Sequence, residues 1–276
     1  MSFLSIVQPK LRPSSSRFEK AVFDILDGWR SRNLWFAMGL QDIRQRYRRS
    51  VLGPFWLTIS MGVMIGAMGL VWGVIFGQAM EEYLPYLCAG FVTWGFISPL
   101  ILEGANAFIS AEGMIKQLNV PLSVYVYGVV WRNLIILLHN IWILFFVQLW
   151  FGKLPGWIAL MSIPAFMLLA LNGVWIGLLL GVLSARFRDV PQIVASIVQV
   201  MFFVTPIIWQ PTQMPERAII LDMNPFYYAL SIVREPLLGN APSVEHWLIM
   251  GAVTICGWAC ALIFYAAFRW RLSYWV

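Results

Sequence analysis

Six long apolar stretches, joined by short polar or basic connections, limit what this chain can fold into. They cover residues 55–77, 86–110, 127–151, 157–183, 192–205 and 247–268. The sequence is 60% hydrophobic and only 12% charged, roughly half the charged fraction of a typical soluble domain. We therefore predict an all-α polytopic membrane protein with six transmembrane helices.

The positive charges orient these helices. Ten of the nineteen Lys and Arg precede residue 50, and connections on the same side hold five more. The opposite connections hold Lys153, Arg217 and Arg234, while Arg132 lies within the third stretch. Because Lys and Arg accumulate on the cytoplasmic side, we expect both termini to be cytoplasmic. Residues 1–16 lack the apolar core of a signal peptide, so we expect the first membrane helix to target the chain.

Residues 1–54 form a predicted cytoplasmic region, and residues 55–276 form the transmembrane domain. Five apolar residues of the first region recur at the spacing of one helical face: Phe18, Val22, Ile25, Leu26 and Trp29. Charged residues occupy much of the remainder, so the pattern predicts an amphipathic interface helix that lies in the headgroup layer. A soluble partner that covers the same face is the alternative.

Residues 45–56, Gln-Arg-Tyr-Arg-Arg-Ser-Val-Leu-Gly-Pro-Phe-Trp, lead into the first span, and we call them the basic turn. Arginines there meet anionic lipid and resist translocation. Gly53 and Pro54 end the preceding helix and allow a new one to begin at another angle.

The longer stretch 42–56, Asp-Ile-Arg-x-Arg-Tyr-Arg-Arg-Ser-x-Leu-Gly-Pro-x-Trp, resembles the membrane subunits of ABC-2 type exporters of polysaccharides and polyol phosphates. These include O-antigen, capsule and teichoic-acid permeases. Arg188-Asp189 before Pro191 and an apolar helix is a second point of resemblance, which runs through most of the chain. The resemblance implies a separate ATP-binding cassette ATPase and a coupling helix that docks into it.

Two cytoplasmic connections, 112–121 and 184–191, are the candidates for this coupling. We expect these residues to face the ATPase: Glu112, Lys116, Asn119, Arg186, Arg188 and Asp189. A plain connecting loop is the alternative for the first connection.

The fifth stretch carries a polar face. Gln192, Ser196, Gln199 and Phe203 are spaced i, i+4, i+7, i+11. A glutamine that faces hydrocarbon leaves its amide unsatisfied, at a cost on the order of several kcal/mol. We predict that this face lines a channel together with Trp72, with hydrogen bonding between helices as the alternative. Three further tryptophans within spans, which could stack on sugars, are more simply explained by packing: Trp94, Trp131 and Trp175.

Residues 207–240 are apolar but are interrupted by prolines. Asn224-Pro225 predicts an N-cap with a first-turn proline, and Gly239 predicts the end of that helix. Such pieces are too short to span, and non-helical backbone at membrane depth persists only when it is buried in protein or lines water. We therefore expect short re-entrant external helices between spans five and six, as the resemblance also implies.

Polar residues inside the spans are few. We expect Arg132 to pair with Glu103, because antiparallel neighbours would bring both near the inner face. His139 is predicted to be a packed, hydrogen-bonded histidine rather than a proton relay.

The sequence contains no Gly-x-x-x-x-Gly-Lys-Ser/Thr motif and no set of catalytic carboxylates, and its three cysteines have no metal-ligand spacing. We therefore expect a transport subunit without a cofactor of its own, with ATP and Mg on the partner ATPase. Nucleic acid is not an expected partner, because most of the positive charge faces a membrane surface.

These observations and the resemblance predict one half of a homodimeric ATP-driven exporter of lipid-linked polysaccharide in the bacterial inner membrane. Five arginines are predicted to receive the polyprenyl-diphosphate headgroup: Arg44, Arg46, Arg48, Arg49 and Arg132. Membrane anchoring is the alternative for the arginines of the basic turn. An ABC-2 exporter of a small lipid or drug, or an integral membrane enzyme that acts on polyprenyl-linked sugars, is the alternative function.

Overall fold

The computed structural model describes residues 16–46, 48, 53, 55–213 and 219–276. Within these ranges the chain is helical and contains no strand. The helices are α1 (Arg17–Arg30), α2 (Arg32–Arg46), α3 (Phe55–Phe76), α4 (Met80–Ala105), α5 (Ala107–Ser110), α6 (Glu112–Gln117), α7 (Ser123–Trp150), α8 (Ser162–Arg186), α9 (Val190–Val204), α10 (Ile219–Asp222), α11 (Pro225–Leu237), α12 (Val244–Phe268) and α13 (Leu272–Trp275).

Five helical segments are long and apolar enough to cross a membrane: α3, α4, α7, α8 with the 3-10 turn before it, and α12 with the turns after it. They confirm five of the six predicted spans. The fifth predicted span is also a helix, but α9 has 15 residues. A helix of that length measures about 22 Å, whereas a bilayer core is about 30 Å thick. It is therefore not among the five.

The second span differs from the prediction at both ends. The polar residues 78–82 indicate a turn before a span at 86–110, but α4 begins at Met80 and ends at Ala105. Glu81 and Glu82 lie in its first turn, where carboxylates favourably meet the positive end of the helix dipole. The turn between α3 and α4 is correspondingly shorter, and residues 107–110 form the separate helix α5.

Helix α4 is the centre of the fold. It packs against α3, α7, α8, α9 and α11, and most of its side chains are buried. A ridge of glycines on α8 lies against it: a Cβ added at Gly104 of α4 would lie 3.1 Å from the Cα of Gly177. Gly173 and Gly181 of the same ridge lie against Leu100 and Phe108. The spacing of these glycines, one in every four residues, lets the two helices approach closely.

The predicted interface helix is α1. A capping box starts it, in which the backbone N–H of Glu19 donates to Ser16 Oγ and the backbone N–H of Ser16 donates back to the Glu19 carboxylate. Its apolar ridge is uncovered, with Phe18, Leu26 and Trp29 exposed. The helix is thus confirmed, and the structure leaves its apolar face open to membrane or partner.

Helix α2 continues from α1 and packs along the first half of α7. Aromatic side chains fill this contact, with Trp35 and Phe36 of α2 against Trp131 of α7. The contact brings Asp42, near the end of α2, beside Arg132 in the first half of α7. Six of the twelve residues of the basic turn lie outside the described residues: 47, 49–52 and 54.

Candidate functional site

A charged cluster joins three helices on the side of the fold where α2 ends. Arg132 of α7 donates through Nη2 to Glu103 Oε2 of α4 at 2.8 Å, and through Nη1 to Asp42 of α2. Asn133 Nδ2 donates to the same oxygen of Glu103 at 2.7 Å. The predicted pair of Arg132 and Glu103 is confirmed. Asp42 joins it, so two carboxylates fix the guanidinium between α2 and α4.

The other predicted headgroup arginines lie at the end of α2 and in the basic turn that follows it. Arg44 and Arg48 are exposed. The side chain of Arg46 and all of Arg49 lie outside the described residues. An anionic headgroup can bind Arg132 only in competition with the two carboxylates that already hold it. The headgroup role of these arginines stays a prediction.

The predicted coupling residues form a second surface. Lys116 Nζ lies 2.6 Å from Glu112 Oε1 within α6. The hydrogen bond and charge of Lys116 lower the pKa of the Glu112 carboxyl, and Arg188 from the connection after α8 adds to the effect. The influence of Arg188 on Glu112 indicates that the two predicted coupling segments lie on the same side of the fold.

The same surface combines charge with uncovered apolar groups. The remaining predicted coupling residues are exposed: Asn119, Arg186 and Asp189. Met114 and Leu118 beside α6 and Phe187 after α8 are also exposed. A patch that mixes exposed apolar and charged side chains is typical of a protein interface.

Helix α9 presents the predicted polar face. It packs on the chain through Val194 and Val198, which are buried. The four predicted channel residues are exposed on the opposite side of the helix: Gln192, Ser196, Gln199 and Phe203. No described part of this chain covers that face, and Ile193, Ile197 and Val200 on the adjacent apolar face are exposed as well. The channel role of the polar face stays a prediction.

The tryptophans within the spans are mostly part of the packing. Trp72 is half-buried, stacks on Phe76, and donates from Nε1 to Met68 Sδ at 3.2 Å. Trp94 packs between Phe202 and Phe226. Trp131 and Trp175 are likewise held by neighbours within the chain. Among the four, only the channel role of Trp72 was predicted, and it stays a prediction.

His139 Nδ1 lies 2.8 Å from the carbonyl oxygen of Ile135, one turn earlier in α7, and donates to it in the tautomer that carries the proton on Nδ1. The predicted hydrogen bond is therefore present. The ring lies edge-on to Phe55 at the start of α3, with centroids 6.3 Å apart.

The segment 205–210, after α9, is not helical, and side chains donate hydrogen bonds to its backbone carbonyls. Tyr86 Oη donates to the carbonyl oxygens of Pro206 and Trp209 at 3.1 and 2.9 Å. Arg234, which is fully buried, donates to Pro206 O at 2.6 Å, and its guanidinium lies 4.2 Å from the Tyr86 ring centre. Tyr83 Oη donates to Ile208 O at 2.8 Å.

This arrangement explains how a non-helical segment persists among apolar helices: its carbonyls are buried in protein and have donors. The predicted cap after the break is confirmed, since Asn224 Oδ1 accepts from the backbone N–H of Phe226 at 2.9 Å and Pro225 is the first helical residue. Gly239 has a φ of 88° and closes the helix as predicted.

Sequence reasoning missed Asp24, whose carboxylate is buried at the junction of α1, α7 and α12. It was read as part of the polar face of α1. The sequence did contain an indication of this burial. Ala21 and Gly28 lie on the same side of the helix as Asp24, at i, i+3, i+7, and small residues on one side of a helix indicate close packing. Arg234 was also missed, although it is one of only two cations, with Arg217, in the broken apolar segment 207–240.

Among the described residues, no group of three His, Cys, Asp or Glu side chains is placed to bind a metal ion. The predicted site residues that the structure describes thus fall mainly into the charged cluster, the surface around α6 and the connection after α8, and the uncovered face of α9.

Comparisons with known proteins agree with this arrangement. The O-antigen export system permease protein RfbA of Myxococcus xanthus is 22% identical over 239 residues, which cover 84% of this chain and 92% of that protein. A Klebsiella pneumoniae protein of the same name is 23% identical over 239 residues, covering 85% of this chain and 90% of that protein. A second one from that species is 21% identical over 215 residues.

The sequence profile described as ABC-2 type transporter matches residues 33–238, from the start of α2 to the end of α11. The match includes the charged cluster, the coupling segments and α9. Since it covers well over half of the chain, this multi-pass membrane protein belongs to the ABC-2 type transporter family and is a transport subunit rather than an enzyme.

Proposed function

We propose that this chain is the permease subunit of an ATP-driven exporter that moves lipid-linked polysaccharide of the O-antigen or capsule type across the bacterial inner membrane. The observation that carries the proposal is the polar face of α9, which faces away from its own chain and is uncovered. A glycan needs a continuous polar path through the bilayer, and two copies of this face would supply one. The similarity to O-antigen export permeases along most of the chain supports the same substrate class.

The proposed topology has six passages and cytoplasmic termini. Five are the long apolar helices, and α9 with the broken segment after it forms the remaining one. In this arrangement α11 is a re-entrant external helix, because it packs against the 3-10 turn Trp157–Met161 that follows an external connection. The excess of Lys and Arg in the connections assigned to the cytoplasm supports this orientation.

ATP and Mg would bind to a separate ATP-binding cassette subunit. The sequence has no phosphate-binding loop of its own, and the α6 surface has the mixed charged and apolar character of a docking site. Six passages are half of a complete transporter, so the proposed assembly contains two copies of this chain and two ATPase subunits.

Headgroup capture would take place at the basic turn. Arginine forks match the oxygens of a diphosphate, and Arg44 and Arg48 are exposed. The uncovered apolar ridge of α1 would lie in the headgroup layer next to this site.

Reconstituted transport tests the proposal. The chain and its ATPase are placed in proteoliposomes with a polyprenyl-diphosphate-linked glycan on the outer, ATP-accessible face. We expect ATP-dependent protection of the glycan from an external glycosidase, and no protection with a hydrolysis-deficient ATPase. Movement of a short-chain lipid without movement of the glycan would instead favour a small-lipid exporter. Loss of the glycan from its carrier without transport would favour an enzyme.

A further inference from the structure

The most heavily bonded polar side chain in the described part of the fold is the Asp24 carboxylate of α1. Its side chain is fully buried. Oδ1 accepts from the backbone N–H of Ser123 and from Tyr265 Oη, each at 2.9 Å. Oδ2 accepts from the backbone N–H of Leu122 at 3.0 Å and from Arg269 Nε at 2.9 Å and Nη2 at 2.5 Å. One carboxylate thus caps the start of α7 and pairs with the end of α12.

Contacts around this carboxylate leave α1 little freedom. Ser123 Oγ donates to the backbone carbonyl of Asp24 at 2.7 Å, and Tyr127 Oη donates to that of Ile25 at 3.1 Å. One turn further along α1, a Cβ at Gly28 would lie 2.0 Å from Ser123 Oγ, so only glycine permits this approach. The interface helix is therefore held at a fixed position on α7 and α12.

The first route from Asp24 to the coupling surface runs through α7. Leu122 and Ser123 follow the end of α6 at Gln117 by five and six residues. The intervening segment includes Pro121, which restricts its conformations, and Ile115 anchors α6 in the core. A displacement of α6 therefore reaches the backbone N–H groups that Asp24 holds.

The second route runs through α12. Arg269 begins the turn that leads to α13, and α13 packs on the end of α8. There the Arg186 guanidinium lies 5.5 Å from the Trp275 ring centre, and Arg188 Nη2 donates to Trp275 O at 3.4 Å. The connection after α8 is thereby linked to the same carboxylate.

Both coupling segments therefore converge on one residue of the interface helix. We propose that Asp24 is a positioning residue for transport: it transmits movement of the ATPase-facing segments to α1, and through α1 to the basic turn. The inference rests on the proposed function, since it requires an ATPase that moves these segments. Asp24 itself touches neither the ATPase nor the substrate.

The test uses the complete transporter with its ATPase in nanodiscs, with Cys88, Cys256 and Cys260 replaced. An environment-sensitive fluorophore on Leu26→Cys, on the exposed ridge of α1, reports movement of that helix when ATP binds. The test variant is Asp24→Asn, which keeps the shape but cannot accept all five hydrogen bonds. The matched control is Asp27→Asn, on the same helix, whose carboxylate pairs with exposed Arg30.

In the Asp24→Asn complex we expect normal ATPase association and loss of the ATP-dependent fluorescence change. Export should fall by about tenfold or more, which is the factor that corresponds to the loss of one charge-assisted hydrogen bond. The Asp27→Asn complex should behave as the parent. An unchanged fluorescence response in Asp24→Asn, or no response in the parent, would overturn the inference.

Tyr265→Phe provides the second variant, for the case in which Asp24→Asn does not insert. It removes one hydrogen bond to the carboxylate and keeps the ring, so a reduced response is expected and a full response would overturn the inference. Failure of the parent chain to bind an ATPase, or to move glycan, would contradict the proposed function instead. The two failures are therefore distinguishable.

Discussion

Several buried or half-buried polar side chains in the described part of the chain have identifiable partners on other helices. Glu103 and Arg132 join α4 to α7, Arg234 and Tyr86 hold the break after α9, and Asp24 joins α1 to α7 and α12. An ion or a carbonyl in an apolar environment is costly unless it is paired, so each set fixes the relative position of its helices. Removal of one partner should therefore affect the elements that the pair connects.

The break after α9 offers a direct stability prediction. Tyr86→Phe removes the hydroxyl that donates to Pro206 O and Trp209 O. Arg234 still serves Pro206, so Trp209 O loses its tyrosine donor, and we expect a loss of about 1–3 kcal/mol in the free energy of unfolding. Thermal unfolding in detergent measures it. Tyr274→Phe, at an exposed tyrosine, is the control, and equal stability of the two variants would contradict the account.

The arginines around the basic turn yield a prediction about recognition. Lysine at positions 44, 46, 48 and 49 keeps the charge but loses the planar fork that matches phosphate oxygens. We expect the fourfold Arg→Lys variant to insert normally and to export several-fold more slowly, about the effect of losing one or more charge-assisted bonds. Unaffected export would show that these arginines only anchor the chain.

The sequence allowed side-chain pairs between neighbouring spans to be predicted, but not pairs between segments that are distant along the chain. Arg132 and Glu103 could be matched because consecutive antiparallel spans bring their inner ends together. Asp24 could not be matched with Arg269, because 245 residues separate them and the amphipathic pattern placed Asp24 on a solvated face. The environment of Asp24 is instead determined by tertiary packing, because α1 is buried against the ends of two other helices.

At the scale of elements, α6 is the segment with the clearest expected role. It is a single short helix whose Glu112 and Lys116 pair along its exposed side, while Ile115 faces the core. The position of α6 between α5 and α7 means that a push on it reaches α7 directly. The resemblance implied a coupling helix within residues 112–121, and α6 begins at Glu112 but ends at Gln117, four residues before Pro121.

Replacement of residues 112–117 by a Gly/Ser linker tests that role. We expect the chain to remain inserted, to bind the ATPase more weakly, and to lose export by about tenfold or more, since a flexible linker transmits no displacement. Co-purification with the ATPase and export in proteoliposomes measure the two effects. The control is a Gly/Ser replacement of residues 152–156, a connection assigned to the other side of the membrane. Undiminished export in the α6 variant would refute the coupling role.

The start of α4 and the contacts made after α9 could be predicted less well from the sequence. The start of α4 was displaced by six residues because Glu81 and Glu82 read as a polar turn, although carboxylates suit a helix N-terminus. The length of α9 follows from Thr205 and Pro206, which the sequence did indicate. The non-helical segment after α9 is bonded by Tyr83, Tyr86 and Arg234. These residues lie more than 25 residues away from it along the chain, so no local pattern reveals them.

At the scale of the whole molecule, the account requires six passages with the α6 surface inside. Single cysteines at positions 116 and 186 should react with a membrane-impermeant thiol reagent only after the cytoplasmic side is opened, whereas position 153 should react from outside. The asymmetry of Lys and Arg is the physical reason. Labelling of position 116 from outside would contradict the topology.

The central claim is that polysaccharide moves along the polar face of α9 between two copies of the chain. The most direct measurement places a photo-crosslinker at position 196, 197, 199 or 200 and stalls a glycan in transit by attaching a bulky group to its end. The account predicts glycan crosslinks from 196 and 199, which share the face of Gln192 and Phe203, and none from 197 and 200. Equal crosslinking from both faces, or none from 196 and 199 during ATP hydrolysis, would contradict it.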